Sequence, residues 1–345
     1  MDNRAIFFGF SFRHHGPHTA FHGLAKALSD QIVVDASPPW PSWTPHAIEW
    51  RLNWRWLRWS ENRLHQYYRE ADRRVIHYFF PENTMRRAAE LKRHHALIAT
   101  CHQPIERLWE RKDDPDSAGF INGIRSADMI VVQCESHIEP YREFLPNAEI
   151  TTIPLGMDAT FFKRSQPYRP ARRPRILTVG NWLRDYATWA QTVKILHRDF
   201  PDLEVVVVAN ADTHALARKE LGNIDFRVTY LRGISDEALR LEYEKASVFF
   251  LPLTSAMAND ALLEALAMGA PMVVTDLSAT RDYAGDAALY IPPASPEAAA
   301  TAILDLLNDQ TKASDKSGKA RKRAETLYDW PPVAAQYRAL YQKLK

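Results

Sequence analysis

The sequence predicts an α/β fold with two doubly wound parallel sheets, one after the other along the chain. Short apolar runs alternate with helical segments from Ala5–Phe10 to Ile150–Pro154, and a second alternation begins at Arg175–Gly180. Between them lies Lys163–Pro174, a polar segment with three prolines that suits a link between domains. Repeated alternation of strands and helices indicates parallel sheets covered by helices on both faces.

Composition and length favour a soluble, two-domain protein. A chain of 345 residues has room for two domains of ordinary size, and 46% apolar with 25% charged residues is typical of globular proteins. The formal charge of +2 gives no reason to expect nucleic acid as a partner. No apolar run approaches the roughly 18 residues of a membrane span, and Ile6–Phe10 is too short for a signal peptide. We therefore expect a cytoplasmic protein.

The loop after the first predicted strand, SFRHHGP, contains Gly16, which lets the backbone approach a ligand closely. Four histidines lie in and after this loop: His14, His15, His18 and His22. No acidic or cysteine partner recurs near them at the spacing of a zinc site. We therefore predict no metal site.

A segment rich in tryptophan and arginine follows the second predicted strand. Residues 49–74 form an amphipathic helical pattern with seven arginines against four acids. Two interpretations stay open. The helix packs on its own sheet with its arginines in water, or it lies in a membrane interface. The side chains for the second interpretation are Trp50, Trp54, Arg51, Arg55 and Arg58.

A strand, a polar loop and a helix over Ser247–Pro293 predict the main binding site. Asn259 can cap the helix, Asp260 complements its positive end, and Gly269 ends it. A helix N-terminus at the carboxyl edge of a sheet is suited to a phosphate. Glu264 lies one turn inside, where its carboxylate can accept hydrogen bonds from the two hydroxyls of a ribose.

Several segments together resemble the retaining glycosyltransferases of the GT-B fold, specifically glycosyltransferase family 4. They are ANDALLEALAMGAPMVVTDLSATRDYAGDAALYIPP, TTIPLGMDATFF, ILTVGNWLRDY, YLRGISDEALRLEYEKASVFFLPL, ADMIVVQCES and DWPPVAAQYRALY. The likeness covers nearly the whole chain. It implies two Rossmann-like domains facing a central cleft. Their expected limits are 1–168 for an acceptor-binding domain and 169–326 for a nucleotide-sugar domain, with a C-terminal helix over 327–345 packing back toward the first domain.

The resemblance also implies roles for individual residues. Glu264 resembles the carboxylate that holds the donor ribose, and His102 resembles the histidine beside the transferred sugar. Arg184 is the candidate for the basic residue that neutralises the diphosphate. Further donor contacts are implied at Gly16, Gly180, Gly233, Ile234, Asn259, Asp260 and Ala261.

Two positions differ from the family pattern. The family commonly has a second carboxylate eight positions before the ribose-binding one, where this chain has Ala256. Asn181 replaces the arginine that usually follows the phosphate-loop glycine. Arg184 can compensate, because a guanidinium pairs with two phosphate oxygens at once.

The implied activity is retaining, metal-independent transfer of a sugar from a UDP- or GDP-sugar to a glycan or glycolipid in surface polysaccharide biosynthesis. No cofactor is expected besides this donor substrate. Two alternatives stay open: a degenerate GT-B protein that acts as a binding or scaffold subunit, and another GT-B enzyme such as a nucleotide-sugar epimerase. The expected location is the cytoplasm, with peripheral contact at the inner membrane face if the tryptophan-arginine helix binds lipid.

Overall fold

The computed structural model describes residues 3–12, 15–40, 44, 46–110, 112–169 and 173–345, and no side-chain description covers His46, Ala47, Trp50 or Asp116. The chain divides into two units, Met1–Gly156 with Trp330–Lys345, and Met157–Asp329. The second unit therefore begins well before residue 169. The reason lies in Arg164, which donates to the carbonyls of Glu244 at 2.7 Å and Met268 at 2.8 Å. These bonds fix the start of the proposed linker to the second unit.

The strands among the described residues are β1 (Ile6–Gly9), β2 (Ile32–Asp35), β3 (Val75–Phe79), β4 (Ala96–Thr100), β5 (Met129–Val132), β6 (Ile150–Thr152), β7 (Arg175–Val179), β8 (Glu204–Val208), β9 (Val228–Leu231), β10 (Val248–Leu251), β11 (Met272–Thr275) and β12 (Ala288–Ile291). The α-helices are α1 (Ala20–Ala27), α2 (His46–Tyr68), α3 (Pro81–Thr84), α4 (Ala88–Leu91), α5 (Ile105–Trp109), α6 (Pro115–Ile124), α7 (Ile138–Phe144), α8 (Tyr186–Asp199), α9 (Ala211–Leu221), α10 (Asp236–Lys245), α11 (Asp260–Ala267), α12 (Ser278–Ala284), α13 (Pro296–Asn308), α14 (Gln310–Arg323) and α15 (Trp330–Leu344). Short 3₁₀ turns lie at Glu135–His137 and Gly285–Ala287, and a π-helical turn lies at Ala324–Tyr328.

Each unit is built on a six-stranded parallel sheet. The first has the order β2-β1-β3-β4-β5-β6 and the second the order β12-β11-β10-β7-β8-β9. Every strand pair in both sheets is parallel. Strands such as β1, β3, β5 and β10 are buried along their whole length, as expected where helices cover both faces. The predicted α/β fold with two doubly wound sheets is confirmed.

The C-terminal helix α15 belongs to the first unit. Trp330 donates its indole N–H to the carbonyl of His18 at 3.0 Å, and an added Cβ at Gly23 would lie 2.2 Å from the Trp330 ring. Further along α15, the Tyr341 hydroxyl lies 2.7 Å from Nδ1 of the fully buried His77. The helix thus completes the core of the first unit.

Helix α2 packs on the first unit through one face and presents arginines on the other. Leu57, Leu64 and Tyr68 are buried. Arg51, Arg55 and Arg58 are exposed. Trp54 is half-buried, and the guanidinium carbon of Arg86 lies 4.4 Å from its ring centroid. Packing is therefore observed, while the side chain of Trp50 lies outside the described part of the chain. No helix in the described ranges has both the length and the apolar character to cross a membrane.

Candidate functional site

The order of strands locates a binding crevice in the second unit. From its first strand, β7, the sheet runs through β8 to β9 on one side and through β10 and β11 to β12 on the other. Ligands of such open sheets bind beyond the carboxyl ends of the strands, where the direction of winding reverses. This switch point lies between β7 and β10. Gly180 and Arg184 lie in the loop after β7. The loop after β10 leads to the cap residue Asn259 and to helix α11, which contains Glu264.

The two loops are held together by backbone hydrogen bonds. The N–H of Asp185 donates to the carbonyl of Pro252 at 3.0 Å, and the N–H of Thr254 donates to the carbonyl of Leu183 at 3.0 Å. Leu183 has a φ of +60°, a left-handed conformation that is strained for leucine. Asp185 then caps α8 by accepting from the N–H of Thr188 at 2.9 Å. The loop after β7 is therefore a fixed element of the crevice.

Arg184 connects the loop after β7 to the start of α11. Its guanidinium donates to the carbonyls of Val179 at 2.9 Å and Trp182 at 2.8 Å, and to Oδ1 of Asn259 at 3.3 Å. Gly180, with a φ of +106°, makes room for it, because an added Cβ would lie 2.1 Å from the guanidinium. A guanidinium has five N–H donors, so donors remain for a ligand beside these three bonds. Arg184 thus lies next to the start of α11, as the predicted phosphate role requires.

The first turn of α11 provides backbone donors. The side chain of Asn259 accepts from the N–H of Leu262 at 3.1 Å, which confirms the predicted cap. The amides of Asp260 and Ala261 lie in the first turn of α11, at the N-terminal end of the helix. Together with the positive end of the helix dipole, they suit an anionic group.

Glu264 lies beneath this turn with 7% of its surface exposed. The hydroxyl of Tyr243 lies 2.8 Å from Oε2 of Glu264. Burial, and then the charge of Asp260, raise the pKa of Glu264 to about 8, against the opposing effects of Tyr243 and Arg184. The carboxyl is therefore mostly protonated at neutral pH in the absence of a ligand. Tyr243 did not emerge from the sequence, because no local pattern links α10 to a carboxylate 21 positions away.

Gly233 and Ile234 lie at the same sheet edge but to one side of the switch point. They follow β9, the edge strand, which β8 separates from β7. Gly233 has a φ of +61° and is exposed, with nothing within 4 Å of an added Cβ. The backbone there is accessible, although the structure does not place these residues against Arg184 or Glu264.

The two departures from the family pattern have different surroundings. Oδ1 of Asn181 accepts from the N–H of Asn210 at 2.6 Å, and Asn210 in turn caps α9. Asn181 therefore joins the loops after β7 and β8. It does not supply the positive charge of the arginine that it replaces. Ala256 is half-buried in the loop after β10 and offers no carboxylate.

The first unit holds the other two predicted site residues, Gly16 and His102. Gly16 lies in the loop after β1, and His102 follows β4. The His102 ring packs against Phe79 and Phe80, with centroid distances of 4.4 Å and 3.9 Å. Both ring nitrogens are buried, and neither makes a hydrogen bond of regular geometry among the described residues. Burial, followed by the nearby His15 and His77, holds the pKa of His102 well below its usual value, so the imidazole is neutral.

The histidine-rich loop does not assemble into a metal site in the described part of the chain. No group of three or more His, Cys, Asp or Glu side chains is placed to hold a metal ion within those residues. His15, His18 and His22 are among them, whereas His14 lies outside. His22 instead pairs with Asp35 at 3.3 Å.

Comparison with known proteins identifies the domain and the fold. Residues 173–309 match the family model described as "Glycosyl transferases group 1". The phosphatidyl-myo-inositol mannosyltransferase of Mycolicibacterium smegmatis is 29% identical over 41% of this chain and 37% of its own length. The MMP alpha-(1->4)-mannosyltransferase of Mycolicibacterium hassiacum is 26% identical over 72% of this chain and 65% of its own length. The chain thus spans less than two thirds of these curated relatives.

Solved structures share the architecture at low sequence identity. Sucrose-phosphate synthase from Thermosynechococcus elongatus superposes with a TM-score of 0.73 at 18% identity and covers 99% of both chains. The Anabaena protein HepE, in complex with UDP and glucose, gives a TM-score of 0.72 at 14% identity, covering 99% of this chain and 100% of its own. The chain therefore has the GT-B fold, and its residues 173–309 are similar to the group 1 glycosyl transferases.

Proposed function

We propose that this GT-B chain transfers a sugar from a nucleotide diphosphate sugar to a glycan or lipid-linked acceptor. One arrangement carries the proposal: the switch point of the second sheet brings a helix N-terminus, the Arg184 guanidinium and the buried Glu264 carboxyl together. These groups match the diphosphate and the ribose of a nucleotide. The group 1 glycosyltransferase domain at 173–309 contains all of them.

In the proposed complex, the amides of Asp260 and Ala261 and the side chain of Arg184 bind the diphosphate. Glu264 accepts hydrogen bonds from the two ribose hydroxyls, and the backbone at Gly233 and Ile234 contacts the base. Gly16 and Gly180 let backbone approach the phosphates. His102 binds a hydroxyl of the transferred sugar. A neutral imidazole suits an uncharged hydroxyl because it can donate one hydrogen bond and accept another.

The proposed reaction retains the configuration of the anomeric carbon. The bond from that carbon to the β-phosphate oxygen breaks, and the bond to the acceptor oxygen forms on the same face. The acceptor proton passes to the departing phosphate oxygen, so the mass and charge balance without a protein nucleophile. Arg184 and the start of α11 stabilise the negative charge that develops on the phosphate. The proposal therefore assigns this charge stabilisation to the protein, with no metal or further cofactor.

The two named relatives are mannosyltransferases, and HepE is described in complex with UDP and glucose. GDP-mannose and UDP-glucose are therefore the first donors to test. We expect one of them to raise the melting temperature in the presence of EDTA, since a ligand at 100 times its Kd stabilises the native state by about 2.7 kcal/mol. We also expect nucleotide release that increases when acceptor glycans or glycolipids are added. Release from neither donor, with binding intact, would favour a scaffold, and conversion of the sugar without acceptor would favour an epimerase.

We further propose that α2 contacts the anionic surface of a membrane at the cytoplasmic face. Its outward face carries the exposed Arg51, Arg55 and Arg58, and Ile48 and Trp59 are 53% and 48% exposed. Basic and apolar side chains on one helix face can lie in a lipid interface. Trp54 contributes little to this face, because Arg86 covers its ring.

We expect the protein to float with vesicles that contain phosphatidylglycerol and to be released by high salt, because screening weakens the arginine contacts. The triple substitution of Arg51, Arg55 and Arg58 by Glu should abolish flotation, whereas Arg218→Glu on α9 should not. If the unsubstituted protein stays in the soluble fraction at low salt, α2 has only its packing role.

A further inference from the structure

A buried carboxyl in the first unit lies at that unit's own switch point. The first sheet has the order β2-β1-β3-β4-β5-β6, so the direction of winding reverses between β1 and β3. The residue after β3 is Phe80, whose φ of +64° is left-handed and costly for an aromatic residue. The chain turns there into the short helix α3. This turn places Glu82, only 7% exposed, beneath the end of the neighbouring strand β4.

Glu82 holds the segment that carries His102. One carboxyl oxygen, Oε1, accepts from the N–H of His102 at 2.5 Å and from the N–H of Gln103 at 3.0 Å. On the other side of the same segment, the Tyr141 hydroxyl donates to the carbonyl of Gln103 at 2.7 Å. The backbone at the end of β4 is therefore fixed by two buried side chains.

The turn that places Glu82 also positions the His102 ring. Phe80 lies 3.9 Å from the imidazole centroid at an interplanar angle of 30°, and Phe79 meets it edge-on at 4.4 Å. The carbonyl of Phe80 accepts from the hydroxyl of Thr84 at 3.1 Å, which stabilises the strained turn. The backbone and the ring of His102 are thus both set by Phe80–Thr84.

We propose that Glu82 is a positioning residue for His102, and that its carboxylate fixes the imidazole for contact with the transferred sugar. This inference rests on the proposed function of His102. Glu82 acts through the backbone N–H groups of His102 and Gln103. Its second oxygen, Oε2, is buried without a hydrogen-bond partner among the described residues. A strained residue before Glu82 and an unsatisfied oxygen on it are costs that a purely structural anchor does not explain.

The ionisation of Glu82 adds a pH dependence to this geometry. Burial raises the pKa of Glu82 to about 7, opposed by the N–H groups of His102 and Gln103. Burial raises the pKa of both Cys101 and Tyr141, and the charge of the Glu82 carboxylate adds to this effect. As the pH falls through about 7, Glu82 takes up a proton and the bonds to the two N–H groups weaken, because charge-assisted bonds are the stronger ones. The rate of nucleotide release from the donor should therefore fall as the pH drops below about 7.

Glu61 provides a matched control in the same unit. It is 2% exposed, burial raises its pKa to about 7, and its Oε1 accepts from the N–H groups of Arg86 and Arg87 at 2.9 Å and 3.0 Å. As at Glu82, one buried carboxyl oxygen accepts from two consecutive backbone N–H groups, although the charges of Arg86 and Arg87 also lower the pKa of Glu61. It holds the start of α4 and not the end of β4, so loss of Glu61 reports the effect of removing such an anchor alone.

The test measures binding of GDP-mannose and UDP-glucose against GDP and UDP, together with nucleotide release, in E82A, E82Q, H102A, E82A/H102A and E61A. We expect E82A to lower nucleotide release on the order of 10- to 100-fold and to leave GDP and UDP affinities unchanged. E82Q, which keeps an acceptor oxygen but not the charge, should release nucleotide faster than E82A, at the reduced rate that the unsubstituted protein shows below pH 7, and should lose the pH dependence near 7. E82A should add nothing to H102A. E61A should change the melting temperature only.

Two results would overturn the inference: equal effects of E82A and E61A on donor use, or fully additive effects of E82A and H102A. If H102A itself leaves nucleotide release unchanged, the proposed function of His102 fails, and an independent measurement still tests Glu82. The amide ¹H shifts of His102 and Gln103 should titrate near pH 7 in the unsubstituted protein and not in E82Q. Absence of that titration contradicts the coupling whatever the activity shows.

Discussion

Replacing Glu264 by Ala should weaken nucleotide binding on the order of 10- to 100-fold, because a hydrogen bond to a charged group contributes roughly 1.5–3 kcal/mol. The loss should be equal for a free nucleotide and for its sugar conjugate, since the ribose is common to both. Calorimetry with GDP, UDP, GDP-mannose and UDP-glucose measures it. Glu242 serves as the control: it is also buried, but it pairs with Arg175 and Lys245. Glu242→Ala should lower stability and leave nucleotide affinity intact.

The pH dependence of binding gives the same prediction a second readout. Burial raises the pKa of Glu264 to about 8, and the ribose hydroxyls prefer the ionised carboxylate as their acceptor. Nucleotide affinity should therefore rise with pH up to about 8 and then level off, whereas in Glu264→Gln it should stay flat. The same raised pKa affects folding stability in the opposite direction: its contribution to stability falls as the pH rises. The raised pKa stabilises the fold below the unfolded value of about 4.5, and this contribution is lost as the pH rises through about 8. Unchanged affinity in both variants would remove Glu264 from the site.

Replacing Arg184 by Ala should lower the turnover of nucleotide sugar by about 10²- to 10³-fold, the usual cost of losing a donor that stabilises developing charge. The variant should also melt earlier, because the side chain anchors the carbonyls of Val179 and Trp182 and the cap residue Asn259. Arg184→Lys keeps the charge but cannot reach all three acceptors from one nitrogen, so it should recover only part of the turnover.

Arg323 separates the two effects of the Arg184 substitution. Like Arg184, it donates to two backbone carbonyls of the second unit, those of Asp282 and Tyr283, each at 2.9 Å. Arg323→Ala should therefore reduce the melting temperature while turnover per folded molecule stays the same. If Arg184→Ala behaves in the same way, its guanidinium is only a loop anchor.

The fold could be predicted because its signals are local. Alternating apolar runs and helices predicted both sheets, and the apolar run at Arg175–Gly180 contains β7, Arg175–Val179. The start of α11 was also predictable, since an asparagine cap followed by strong helix formers is a local pattern. Strand β12, over Ala288–Ile291, was not foreseen.

The hydrogen bonds that hold the site residues in place could not be predicted, because they join positions that are far apart in the sequence. Arg184 was selected as a cation, yet three of its bonds go to protein acceptors, and only the folded loop shows this. Asn181 differs from the family pattern, and only the structure shows its role: its side chain accepts a hydrogen bond from the N–H of Asn210. Glu82 lies 20 positions before His102, and no periodicity relates a carboxyl on a one-turn helix to the end of the next strand.

The central claim is that the switch point of the second sheet binds a nucleotide diphosphate. A crystal structure of the protein with GDP or UDP, whichever raises its melting temperature, tests this most directly. We expect the diphosphate within hydrogen-bond distance of the amides of Asp260 and Ala261 and of the Arg184 guanidinium. The ribose hydroxyls should lie on the carboxylate of Glu264. A nucleotide bound elsewhere, or one whose ribose points away from Glu264, would contradict the account.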